Sequence, residues 1–120
     1  MPAFLVSLLQ PFFPGVDLKR VRIHRGIPPE IRARSAVTNP AAITVGYTIY
    51  VQPGYMDITH PHGIRTLLHE LRHIQQYAAL GSSFTQEYSK GVRQYGYWRN
   101  PFELDAYVVE HRLANALGVA

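Results

Sequence analysis

Leu67-Leu68-His69-Glu70-Leu71-Arg72-His73-Ile74-Gln75-Gln76 is the stretch of this chain whose residue types and spacing could do chemistry. Histidines four residues apart on a helix are separated by about 40° around its axis, so both imidazoles can grip one metal ion. The glutamate after the first histidine can reach a water on that ion. Together these groups can make a nucleophile from water at neutral pH, which is the arrangement of zinc hydrolases. A His-Glu-x-x-His run can also be a plain hydrogen-bonded pair on a polar helix face. Its setting here, on a well-bounded amphipathic helix that follows a strand, favours the metal.

A catalytic zinc takes three protein ligands and keeps one position open. The chain has no cysteine, so the third ligand must be His, Asp or Glu. One known arrangement places glycine three residues, and a third histidine six residues, after the second motif histidine. Gln76 and Ala79 occupy those positions and exclude it. The other arrangement takes an acidic residue from a later helix, and Asn100-Pro101-Phe102-Glu103-Leu104-Asp105-Ala106 offers Glu103. Glu110 shares its side of that helix, and His111 is a weaker alternative. A helix cap would account for the same residues: Asn100 at the N-cap, Pro101 at N1, Glu103 at the capping-box position. The need of His69 and His73 for a partner favours the ligand reading. Asp105 or a backbone carbonyl is expected to orient a histidine through its second ring nitrogen. Tyr88, Tyr95, Tyr97 and His111 are candidates to stabilise a developing oxyanion. His60 and His62 are placed at the mouth of the cleft.

These side chains require positioning elements. The motif helix is expected over Pro61 to Leu80, with Thr59 as N-cap and Gly81 as its stop. Leu67, Leu71, Ile74 and Ala78 form its apolar stripe, with His69, His73 and Gln76 on the opposite side. A second element must therefore cover the histidines. The last helix, Pro101 to about Leu117, is the candidate, with Ala106, Val109, Leu113 and Leu117 facing the core. Val21-Arg22-Ile23-His24 reads as a short strand, and Pro28 to Ala33 as a short helix. Ala42 to Val51 reads as a hairpin turning at Gly46. An extended peptide could add to the edge of the Thr48–Gln52 strand. Ser82 to Asn100 is expected to hold a short helix and to wall the cleft.

The 120 residues fit one domain of α+β class, a short hairpin or sheet packed on the motif helix and the C-terminal helix. No apolar run approaches the roughly 20 residues of a membrane span. The apolar start, Met1 to Pro11, lacks a basic stretch and reads as a packed helix, not a signal peptide. This fits a cytoplasmic protein, or one exported without a signal peptide. The net charge of +4 gathers early, at Lys19, Arg20, Arg22, Arg25, Arg32 and Arg34. That cluster reads as a solvated face. A nucleic-acid partner would need a known binding fold, and none is legible.

The chain resembles the zincin metallopeptidases of the glutamate-ligand (gluzincin) type. Among these it is most similar to a family of small bacterial domains associated with extracellular contractile injection systems. The matching segments are Val21–His24, Val45–Val51, Leu67–Tyr77 and Asn100–Ala106. The resemblance implies a minimal zincin core with zinc on His69, His73 and Glu103 and with Glu70 as general base. It places the hairpin's edge strand beside a peptide or protein substrate. Larger peptidases carry a second subdomain for which this chain has little room.

Three functions compete. The first is a zinc-dependent endopeptidase, supported by Glu70, which a purely structural site does not need. The second is a non-catalytic zinc-bearing interaction module, in which the metal stabilises the fold. The third is a basic nucleic-acid-associated protein.

Overall fold

The computed structural model describes residues 1–119. The chain begins with α1 (Ala3–Leu9), whose Leu5 and Leu9 are buried, followed by two 3₁₀ turns at Gln10–Phe12 and Leu18–Arg20. Then come β1 (Arg22–Arg25), the single turn α2 (Pro29–Arg32), β2 (Ala42–Val45), β3 (Thr48–Val51), α3 (Pro61–Leu80), α4 (Ser83–Tyr95) and α5 (Pro101–Ala116). The class is α+β, as the patterning implies. No helix of the described residues is long and apolar enough to cross a membrane.

The sheet order is β1-β3-β2, with β1 parallel and β2 antiparallel to β3. Gly46, at φ 60°, is the first of the two residues that turn β2 into β3, where a type II′ turn takes glycine. This topology corrects one expectation. The Thr48 strand is central and fully paired, so a peptide cannot add to it. The free edge beside α3 belongs to β2. Register decides which side chains β2 sends inward. Thr44 pairs with Ile49 and Ala42 with Val51, and both β3 partners are buried, so Thr44 shares the face turned to α3.

The core lies between the sheet, α1 and the apolar side of α3, where Leu67, Leu68, Leu71 and Ile74 are buried against Leu9, Phe13, Leu18 and Ile49. The opposite side of α3 is also covered, as its histidines required. α5 packs along it, bringing Glu103 and Glu110 to the histidines while its Leu113 and Ala114 join the core, and α4 closes one end. The segment expected to carry a short helix holds the thirteen-residue α4. The start of α3 departs from the expected cap. His60, not Thr59, is the N-cap, with Pro61 at N1. The Thr59 hydroxyl and amide both donate to Asp57 Oδ1, so the would-be cap is held in a tight turn outside the helix. That turn lies against the helix: a Cβ on Gly63 would meet the Asp57 carbonyl oxygen at 1.9 Å.

Candidate metal centre

Four elements bring the site together. α3 contributes His69, Glu70 and His73, all on its covered side and 6–7% exposed. Their ligand-capable atoms lie within 4.8 Å of one another. α5 contributes Glu103 from its first turn, 3% exposed. Asn100 does cap that helix, its side chain accepting from the Phe102 amide at 3.2 Å. The Glu103 carboxylate does not fold back to complete a capping box. Its Oε1 lies 2.9 Å from His69 Nε2 and 3.2 Å from His73 Nε2. Ligands on a tetrahedral zinc with bonds of about 2.0–2.1 Å stand roughly 3.3 Å apart, so these separations suit a shared ion. α4 adds Tyr88, whose hydroxyl donates to Glu103 Oε2 at 2.5 Å.

The proton inventory shows what a proton or a cation could satisfy there. Gln76 Nε2 donates to the Phe102 carbonyl at 3.0 Å and to Asp105 Oδ2 at 2.8 Å, which turns its Oε1 towards His73 Nδ1, 2.8 Å away. His73 Nδ1 must therefore carry the proton, and in a neutral ring Nε2 presents a lone pair to the Glu103 carboxylate. His69 has the same conflict, with Glu110 Oε1 3.1 Å from Nδ1 and Glu103 on the other nitrogen. Acceptors face acceptors unless a proton or a metal ion sits among them. In the protein alone the balance falls to protons. Burial works against the His69 imidazolium, but the bonds to Glu103 and Glu110 and the charge of Glu70 prevail and hold its pKa up at about 10. His73 is raised likewise: burial works against its imidazolium, but the bond to Glu103 and the charges of Glu70 and Glu103 together prevail. Burial would raise Glu103, yet the two histidines and Tyr88 hold it well below the usual carboxylate range. A divalent ion satisfies the same three groups without the extra protons.

The groups that orient the histidines differ from the expectation. Asp105 touches neither ring. It takes a two-pronged bond from Arg72, at 2.7 and 3.1 Å, and bonds Gln76, so it acts on His73 only through the amide. The Arg72 bond holds the Asp105 carboxyl below its ordinary value. Direct orientation comes from Gln76 and Glu110. Gln76 lies one turn from His73 on α3 and Glu110 two turns from Glu103 on α5, each on the side of its candidate ligand, a spacing legible in the sequence. Arg65 steadies Glu110 at 3.7 Å.

Glu70 bears no ligand bond. Thr44 of β2 donates to its Oε1 at 2.8 Å, and among the described residues this is its one hydrogen-bond partner. A cleft runs along the β2 edge with Glu70 at its middle. One half is lined by α4 residues such as Phe84 and Tyr88, the other by the start of α3 and by Trp98 and Tyr107. Of the four proposed oxyanion stabilisers, only Tyr97 lines both halves. Burial and then the charge of Glu103 push its phenol well up, so it remains a donor. Tyr88 reaches the site, but its hydroxyl is already committed as a hydrogen-bond donor to Glu103. Tyr95 is half exposed and lines neither half. His111 is exposed beside Asn115, 3.4 Å away. His62 lines the cleft, whereas His60 is turned to Asp57 at 3.7 Å. Tyr107, which no motif or spacing marks, sets its ring 4.4 Å from that of His69.

The family model of the eCIS core domain matches residues 1–81, just over two thirds of the chain, and so takes in His69, Glu70 and His73. The match ends at the stop of α3, before Tyr88 and Glu103. No curated protein and no solved structure matches the chain.

Proposed function

The chain belongs to the eCIS core domain family of extracellular contractile injection systems, and from that premise we propose that it is a zinc-dependent peptidase of zincin type. One observation carries the reading: Glu103 Oε1 sits within 3.2 Å of both Nε2 atoms while both Nδ1 atoms are already engaged. His69, His73 and Glu103 would hold the metal. A zinc ion there would supply a Lewis acid and bring a water into its working range at about pH 7.

The remaining steps belong to the chain. Glu70, held by Thr44, accepts the proton of the attacking water and returns it to the leaving amine. Tyr97 donates to the developing oxyanion. Tyr88 keeps Glu103 aligned, and Gln76 and Glu110 keep each Nε2 aimed inward. The β2 edge, unpaired beside Glu70, supplies backbone partners for an extended peptide.

The burial of all three ligands between α3 and α5 also supports the reading of a zinc-stapled interaction module. The Thr44–Glu70 bond favours the enzyme, because a staple has no use for a positioned base. The test is cleavage of a peptide library by the zinc-loaded protein beside Glu70→Gln. Cleavage by the first and none by the second, at equal zinc content, supports the peptidase. Zinc in both with cleavage by neither supports the module.

A further inference from the structure

The two halves of the cleft differ in chemistry. The α4 half mixes Phe84 with Arg34, Ser35, Thr85 and Ser89. The other half presents aromatic rings: Tyr55 on one wall, and Trp98 and Tyr107 on the other. These rings are 43%, 68% and 39% exposed. Trp98 is the chain's single tryptophan, and its ring stacks on Tyr107 at 6.3 Å and 24°. Tyr107 in turn lies 4.4 Å from the ring of His69, so an apolar wall runs unbroken from a metal ligand out to solvent. The guanidinium in this half, on Arg65, is engaged with Glu110 at 3.7 Å. Aromatic surface left wet beside a reaction centre is surface that gains from an occupant.

We propose that the groove between Tyr55, Trp98 and Tyr107 is a specificity subsite that takes one aromatic or large aliphatic side chain of a peptide, next to the bond that is cut. The inference rests on the peptidase reading and adds its substrate class. Continuity with Glu70 and His69 argues for a substrate side chain as occupant, because anything else seated there would block the centre. The more polar α4 half implies that the preference is one-sided.

The probe is a set of capped Ala/Ser octapeptides, each with a single Phe, beside the same peptides without it. With zinc-loaded Glu70→Gln, Trp98 emission should shift to the blue and saturate with the Phe set, and stay put with the Ala/Ser set. The wild type should cut the Phe peptides at a fixed side of Phe. Trp98→Ala, and independently Tyr55→Ala, should lower the ratio of kcat/KM between the two sets about tenfold. Cleavage of both sets at equal rate with unmoved Trp98 emission overturns the subsite and leaves the peptidase standing. Saturable emission without cleavage by wild type keeps the groove as a peptide site and overturns the peptidase. Neither cleavage nor an emission change overturns both.

Discussion

Thr44 on β2 donates a hydrogen bond of 2.8 Å to Glu70 on α3, across 26 residues of sequence. This bond ties the sheet to the proposed reaction centre, and it exists only in the observed register. A slip of one residue would turn Thr44 to the far face of the sheet. Thr44→Val should lower kcat by about tenfold, the scale of a lost bond to a charged acceptor, with zinc content unchanged. Thr44→Ser should retain most of the rate. Steady-state kinetics beside metal analysis reads both, and equal loss of rate and zinc would assign Thr44 a structural role only.

Gln76 and Glu110 should control metal affinity. Gln76→Leu removes the acceptor for the His73 Nδ1 proton, and Glu110→Ala does the same to His69. Each should weaken zinc binding by about 10–100-fold in competition with a chelator. Gln76→Glu, which keeps an acceptor in place, should weaken it less. Unchanged affinity in Gln76→Leu would show that His73 needs no orienting partner.

The two tyrosines should separate by readout. Tyr88→Phe frees one oxygen of Glu103 and should show first as weaker zinc binding. Tyr97→Phe should leave zinc in place and cut kcat by about 10²–10³, the cost of one oxyanion donor. The reverse pattern would exchange their roles.

Gly91 of α4 meets the start of α5 so closely that a Cβ would lie 2.4 Å from Asn100 Oδ1. Asn100 is fully buried, accepts from the Phe102 amide and donates to the Tyr88 carbonyl at 3.2 Å. Gly91→Ala must push this cap aside, and Glu103 sits three residues further on. The change should destabilise the fold by about 1–3 kcal/mol, seen as a lower Tm. It should also weaken zinc binding more than the Tm loss alone explains. A Tm equal to wild type would mean that the α4–α5 contact is looser than described.

Much of this was legible from spacing alone. The 3.6-residue period marked α3 and α5, and the stop at Gly81 fell where the helix ends. Metal chemistry limits the residue types that can serve, and this singles out His69, Glu70, His73 and Glu103, which the fold brings together. What the sequence hid depended on pairing across the fold. Strand order cannot be read from a hairpin, and only the assembled sheet shows that β2 and not β3 provides the edge. Thr44 carries no sign of its task until the register aligns it with Ile49. Glu110 shares the side of Glu103 in the sequence, but its task shows only in the fold, where the second nitrogen of His69 finds it as a partner. The cap at Thr59 failed because Asp57, two residues earlier, competes for the same hydroxyl and amide.

The central claim is that His69, His73 and Glu103 hold one zinc ion. The most direct measurement is the zinc content and affinity of the purified protein beside Glu103→Ala, each checked by circular dichroism for an intact fold. We expect about one zinc per chain in the wild type and affinity at least tenfold weaker in Glu103→Ala. A folded wild-type protein that takes up no zinc, or a variant that binds it as tightly, would contradict the account.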